Sequence, residues 1–299
     1  LHHSLSRINL TPISLMKVGF SSRFTPFLLC LGLVSLTGCV SRPFYYPDRV
    51  SYSTPKNANL KFENITFSSA DGTRLNGWFI PASGISDPRK AKGTVVHFHG
   101  NAQNMSSHWR FIDWLPRQSF NIFVFDYRGY GASEGVPTPK GLFDDSNAAL
   151  NYVRSRPDID PNRLVVFGQS LGGANAIAAV GAGNRNGVKA IAIDSTFYSY
   201  STIANDKIWG SGLLVNNQFS ASRYVGNLAP IPLLLMHGTA DPVTPHSHAV
   251  RLFQKAKEPK TLLSIENGEH TDALSSRFGN KYRVALLEFF QKAISEKPR

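Results

Sequence analysis

The feature that most narrows what this chain can become is the stretch Leu164-Val165-Val166-Phe167-Gly168-Gln169-Ser170-Leu171-Gly172-Gly173, which runs directly into the small-residue segment from Ala174 to Gly183. An apolar β-rich run that ends at Gly-x-Ser-x-Gly and passes into an Ala/Gly-rich stretch predicts a strand, a sharp turn and a helix, with Ser170 lifted at the apex. A serine held in such a strained turn needs neighbours without bulk two positions before and after it, which Gly168 and Gly172 provide. The helix N-terminus then favours negative charge developing beside the hydroxyl. The short motif alone arises by accident, so its weight comes from the strand before it and the helix after it. Ser170 is the candidate nucleophile.

The start of the chain carries an address. From Met16, the first methionine, the chain reads a short basic segment with Lys17 and Arg23, then thirteen apolar-rich residues from Phe24 to Leu36, then small residues. That is the form of a secretory signal peptide, and its core is too short to span a bilayer as a mature helix. Translation is therefore expected to begin at Met16. Leu36-Thr37-Gly38-Cys39 resembles the lipobox of bacterial lipoproteins, which implies cleavage after residue 38 and acylation of Cys39. Cys30 lies in the discarded core, so the mature chain keeps Cys39 alone and has no intramolecular disulfide to form. Several acyl chains on one residue anchor stably, where a single chain binds only marginally. The expected location is the cell envelope, and the lipobox resemblance implies that Val40, a residue other than Asp after the cysteine, favours the outer membrane where the source has one.

The leader holds three of the 32 basic residues (Arg7, Lys17, Arg23) and none of the 20 acidic ones, leaving 29 against 20 and a net charge of +9. This excess suits a protein held near anionic headgroups. It does not indicate nucleic acid, because clusters such as Arg89-Lys90-Ala91-Lys92 are short and lack interleaved aromatics. The 261 residues from Cys39 onward are enough for one large domain. Residues 39–55 are read as a lipid-anchored segment whose Phe44-Tyr45-Tyr46-Pro47 packs on the domain, and residues 56–299 as that domain.

Strand-like and helix-like stretches then alternate. Strands are expected at Leu60–Ser68, Leu75–Ile80, Thr94–His99, Asn121–Tyr127, Leu164–Gly168, Ala190–Asp194, Pro232–His237 and Thr261–Ile265, with Asp71-Gly72 turning the first hairpin. Helices are expected behind Thr138-Pro139 and around Tyr282–Ala293. An opening hairpin followed by βα units implies a mostly parallel sheet covered on both faces.

Four further motifs bear on Ser170: His99-Gly100-Asn101 after the third strand, Asp126-Tyr127-Arg128-Gly129-Tyr130-Gly131 after the fourth, His237-Gly238-Thr239-x-Asp241 after the seventh, and Gly268-Glu269-His270 after the eighth. With Gly168-x-Ser170-x-Gly172 after the fifth, this order resembles the α/β-hydrolase fold superfamily, from about Phe44 to the C-terminus. The resemblance implies an α/β class fold with a mostly parallel eight-stranded sheet, helices on both faces and a short cap insertion at about 195–230. It also implies a serine hydrolase.

A serine hydroxyl needs a base within hydrogen-bond reach, and the base needs an orienting acid. In this fold the chain order is Ser, acid, His, which Ser170, Asp241 and His270 satisfy. Of the nine histidines, His2 and His3 fall in the leader. His97, His99 and His237 are expected to hold loops by hydrogen bonding, His108 to lie in a surface helix, and His246 and His248 to open the helix after Asp241. Asp194, at the end of the sixth strand, is the chief rival acid, with Glu269 and Asp272 further competitors. Asp126 is expected to be structural, with Arg128 and Glu134 forming an ion-paired shelf. The oxyanion donors are expected to be the backbone amides of Leu171 and Asn101, with Ala102 as the alternative to Asn101.

His97-x-His99 places two imidazoles on one strand face but finds no third ligand at sensible spacing, so no metal is expected, and no cofactor string is present. The cap carries Phe197, Tyr198, Tyr200, Ile208, Trp209, Leu213, Leu214 and Phe219, which either wall an apolar pocket or pack the cap onto the domain. No charged pocket for a peptide terminus can be read. The expected activity is hydrolysis of a small-molecule carboxylic ester or thioester through an acyl-enzyme. A peptidase or acyltransferase on the same fold, and a catalytically silent envelope lipoprotein, are the competing readings; the oligomeric state is not readable.

Overall fold

The computed structural model describes residues 44–296. The signal peptide, Met16 and Cys39 lie outside the described residues. Eight strands form one sheet: β1 (Glu63–Ser68), β2 (Arg74–Ile80), β3 (Gly93–Phe98), β4 (Phe120–Asp126), β5 (Leu164–Gln169), β6 (Val188–Asp194), β7 (Leu233–Gly238) and β8 (Lys260–Ile265). Their spatial order is β8-β7-β6-β5-β3-β4-β2-β1. All neighbours are parallel except β2, which runs antiparallel to both β1 and β4.

Burial explains which sequences made which strands. Every residue of β3, β4 and β5 is buried, as strands covered on both faces must be, and they read as largely apolar runs. At the edge, β1 alternates exposed and buried positions, with Ile65 and Phe67 inward. The hairpin between β1 and β2 turns at Gly72, whose φ of +83° is one that side chains rarely adopt.

Helices cover both faces. On one face pack α2 (Pro139–Ser155), α3 (Leu171–Gly181) and α6 (Ser247–Lys255), with Leu142, Leu150, Val153, Ile177 and Leu252 in the core. The other face is covered by α7 (Lys281–Ser295) and by the segment that holds α1 (Met105–His108), with Trp109, Leu286 and Phe290 buried there. Thr138 caps α2 by accepting from the Gly141 amide at 3.0 Å, just ahead of Pro139. Helix α3 is buried along its whole length, which its Ala and Gly residues permit.

The cap insertion between β6 and β7 carries α4 (Tyr200–Lys207) and α5 (Ala221–Tyr224). The aromatic segment at the start of the domain packs on the domain: Tyr46-Pro47 pairs in parallel with Ala102-Gln103, and the Phe44 ring meets Tyr200 of the cap edge-on at 6.3 Å.

This topology fixes where a site can form. Strand β3 lies between β4 and β5, so the connections on either side of it run in opposite directions and open a crevice at the carboxyl ends. Register lines up Phe98 with Gly168, Gln169 with Asp194, and Asp194 with Met236. The loops that begin at His99, Ser170, Ser195 and Thr239 therefore leave the sheet at one edge.

Candidate active site

Ser170 caps α3 with φ 50° and ψ −118°, a strained conformation for a residue with a side chain. Close packing forces the flanking glycines. A Cβ on Gly172 would lie 2.1 Å from the Phe98 carbonyl oxygen, and one on Gly168 would lie 2.7 Å from the Gly173 Cα. The strained turn is held from both sides: the Ser170 amide donates to the Asp194 carbonyl at 2.9 Å, and Thr196 Oγ1 donates to the Ser170 carbonyl at 2.7 Å. The Leu171 and Asn101 amides have no acceptor among the described residues.

Asn101 is fixed through its side chain. Its amide group donates to the Phe44 carbonyl, while its Oδ1 accepts from the Tyr46 amide at 3.2 Å and the Tyr130 hydroxyl at 2.8 Å. Ala102 is drawn instead into the ladder with Tyr46. The loop after β3 is thereby tied to the aromatic segment that precedes the sheet.

His270 Nδ1 lies 2.8 Å from Asp241 Oδ2. Because a carboxylate only accepts, Nδ1 carries the hydrogen and Nε2 presents its lone pair. The other carboxylate oxygen, Oδ1, accepts from the Val243 and Thr244 amides, both at 2.8 Å. Burial alone would raise the Asp241 carboxyl, but hydrogen bonds from His237, His270 and the Thr244 backbone outweigh it and hold the group well below the usual carboxylate range.

The rival acid sits differently. Asp194 is fully buried, receives the Ser195 hydroxyl at 3.1 Å, and leaves Oδ2 without a partner among the described residues. Burial pushes its carboxyl up to about 6, partly offset by Ser195, His237 and His270. It makes no hydrogen bond to an imidazole. Glu269 and Asp272 engage Arg277, and the carboxylate bonded to His270 is that of Asp241.

The Ser170 hydroxyl makes no hydrogen bond to His270 in this arrangement; the two are linked through Asp194-Ser195. Residue 194 holds the Ser170 amide, and Ser195 Oγ accepts from the Thr271 amide at 2.9 Å. Ser170, Ser195 and Thr271 all have positive φ, at 50°, 55° and 54°. Three strained residues on three loops thus share one hydrogen-bonded seam.

Sequence reasoning did not identify Ser195, Thr271 or the part His237 plays. His237 Nε2 lies 2.8 Å from the Thr244 carbonyl and 3.2 Å from Asp241 Oδ2, both acceptors, so it donates to both. The available signal was the four-residue spacing from His237 to Asp241.

The remaining histidines and charges also find their places. His97 contacts Gln169 Oε1 at 3.2 Å, and His99 lies 3.3 Å from Asp126, whose Oδ1 accepts from the Met105 amide. His108 is not a surface residue of a free helix: its ring stacks on His99 at 5.4 Å, and burial lowers it to about 4. The shelf expected of Arg128 and Glu134 does not form, because Arg128 pairs with Asp145 at 2.7 Å and Asp71 at 2.8 Å while Glu134 pairs with Arg74. The β1–β2 hairpin and α2 stand closer to that guanidinium than Glu134 does. Among the described residues no group of three His, Cys, Asp or Glu is placed to hold a metal.

The cap divides. Phe197 and Tyr200 are buried, and the Phe219 ring packs at a tilt against Phe143 with centroids 5.0 Å apart. Ile208, Trp209, Leu213 and Leu214 do neither of the things expected of them; they face solvent.

Comparison with known proteins bears on the fold and family. The family described as serine aminopeptidase, S33, matches residues 89–220. The uncharacterized protein YfhR of Escherichia coli strain K12 is 50% identical over 254 residues, covering 84% of this chain and 87% of that one. The α/β hydrolase domain-containing protein WAV2 of Arabidopsis thaliana is 34% identical over 262 residues, covering 82% and 83%. Among solved structures, the Pyrococcus furiosus esterase Pf2001 superposes with a TM-score of 0.69 at 19% identity, covering 83% of this chain and 98% of its own. The agreement with WAV2 spans most of both chains, and the mostly parallel eight-stranded sheet flanked by helices is that of its namesake fold: the chain belongs to the α/β-hydrolase superfamily.

Proposed function

We propose that this hydrolase cleaves carboxylic ester or thioester bonds of small molecules through an acyl-enzyme on Ser170. The observation that carries the reading is the 2.8 Å bond from His270 to Asp241 opposite a serine strained at the N-terminus of α3. His270 Nε2 takes the hydroxyl proton as Ser170 Oγ attacks the carbonyl carbon. The oxyanion that forms is met by the amides of Leu171 and Asn101, whose free N–H groups support that role. Collapse breaks the bond to the leaving alcohol or thiol, which departs with the proton from His270. Water then attacks the acyl carbon by the same route, and the carboxylic acid leaves. Asp241, held ionised, keeps His270 in the useful tautomer and balances the imidazolium.

A fluorophosphonate probe should label the purified protein and leave Ser170→Ala unlabelled; equal labelling of both would sink the proposal. Peptide hydrolysis is the second reading, favoured by the family description that matches residues 89–220. Turnover of p-nitrophenyl esters set against aminoacyl p-nitroanilides separates the two, with the esters expected to win.

The lipobox reading adds that Cys39 is acylated and holds the enzyme in the cell envelope. It is supported by the leader and the +9 charge that follows its removal. Cys39→Ser should release the protein from the membrane fraction, and an unchanged membrane fraction would refute the anchor.

A further inference from the structure

The tip of the cap is the largest apolar feature that the proposed chemistry leaves unused. Trp209 is 95% exposed, Leu213 92%, Leu214 77% and Ile208 69%. These side chains are not a frayed loop. The Ile208 amide closes onto Ala204, Ser211 donates to the Ile208 carbonyl, and the Gly212 amide donates to Asn205 Oδ1 at 2.7 Å. Gly212 sits so close to α4 that a Cβ there would lie 2.3 Å from the Ser201 carbonyl oxygen. A hydrogen-bonded turn thus holds four large apolar groups outward, and clustered exposure of that kind marks an interaction surface.

Three placements point to one occupant. First, the tip is tied to the site's rim: Lys207 Nζ donates to the Val243 carbonyl at 2.8 Å, two residues past Asp241, and Asp206 bonds His248 at the start of α6. Second, the chain enters the domain on the same rim, since Phe44 packs on Tyr200 and its carbonyl is held by Asn101. Cys39 lies five residues before Phe44, and five residues reach at most about 18 Å when fully extended. Third, α4 joins the two places, spanning about 12 Å from Tyr200 to the exposed turn. A tryptophan flanked by leucines and isoleucine on a chain of net positive charge fits the headgroup boundary of an anionic bilayer.

We infer that the cap tip Ile208-Trp209 with Leu213-Leu214 docks on a lipid bilayer, turning the loops around Ser170 toward the membrane, and that the substrates are acyl esters presented at that surface. The substrate part rests on the proposed hydrolase reading, while the docking part stands without it.

The test uses the full chain as its host processes it and phosphatidylcholine/phosphatidylglycerol vesicles with brominated acyl chains. Trp78 and Trp109 are buried and Trp114 is half-buried, so quenching reports on Trp209. Brominated vesicles should quench the wild type and leave Trp209→Phe unquenched. Leu213→Ser/Leu214→Ser should turn over a vesicle-borne ester at least about tenfold more slowly while hydrolysing soluble p-nitrophenyl butyrate unchanged. Absence of quenching overturns the docking. So does a wild type that sediments as a dimer where the double variant is a monomer, because the patch then faces a second copy. Equal loss on both esters assigns the tip to the substrate pocket instead. Hydrolysis of neither ester by the wild type removes the hydrolase reading, and quenching still decides the docking.

Discussion

One buried aspartate, Asp194, ends β6 and another, Asp241, stands in the loop after β7, and the two carboxyls are driven in opposite directions. Asp241 collects four donors: two backbone amides on Oδ1, and His237 and His270 on Oδ2. Asp194 collects one hydroxyl on Oδ1 and nothing on Oδ2 among the described residues. Both are buried, Asp194 the more completely, and the supply of N–H groups separates them further. Where donors converge, the charge survives desolvation and can steady an imidazolium. Without them, the buried carboxyl rises to about 6 and its backbone does the useful work, holding the Ser170 amide and leading into Ser195.

The contrast breaks most sharply at Asp241. Asp241→Asn keeps the shape but presents an amide to His270, favouring the tautomer whose lone pair points away from Ser170. A fall in kcat of about 10⁴ is expected with p-nitrophenyl esters, with folding retained by circular dichroism. A loss below about tenfold would show that Asp241 does not orient the base.

Asp194→Asn should have little effect on kcat, and its signature is in stability against pH. The folded carboxyl sits near 6, above its ordinary value of 3.8, so the native state binds the proton more tightly. That contribution is fully present below the ordinary value and is lost as pH rises through about 6. The asparagine variant lacks it. Relative to the variant, the wild type should therefore lose ~3 kcal/mol between about pH 4 and pH 7, measured by urea unfolding. Parallel stability curves would place the Asp194 carboxyl at its ordinary value.

How far this contrast was readable beforehand follows from the reach of each signal. Central strands announced themselves because burial on both faces demands continuous apolar runs, and all eight strands fall within a few residues of their expected limits. Asp241 and His270 were readable as a chain order after the seventh and eighth strands. The supply of N–H groups around a carboxylate was not, since it depends on loops that meet only in the folded chain. Ser195 and Thr271 are 76 residues apart, Asn101 and Phe44 are 57 apart, and neither pair leaves a periodicity. The outward turn of Trp209 was hidden for another reason: an aromatic cap reads the same whether its side chains face the domain or the solvent.

His237 sharpens the comparison by subtraction. It is one of the donors that Asp241 has and Asp194 lacks, for although His237 acts on both carboxyls, of the two it reaches only Asp241. His237→Ala leaves the Thr244 carbonyl and one lone pair of Asp241 Oδ2 without this partner, a buried loss that typically costs about 1–3 kcal/mol. The depressed value of Asp241 supplies stability that is present above its ordinary value of 3.8 and is lost as pH falls through the folded value. The variant forfeits part of that supply. Its deficit against the wild type should therefore be full at neutral pH and narrow in acid, the reverse of the pH trend that Asp194 imposes. Turnover should fall only about tenfold, because His270 still meets Asp241 directly and the two Oδ1 amides keep the carboxylate in place. A deficit that stays constant from neutral pH into acid would mean that His237 merely fills space, and that the backbone amides and His270 alone keep Asp241 charged.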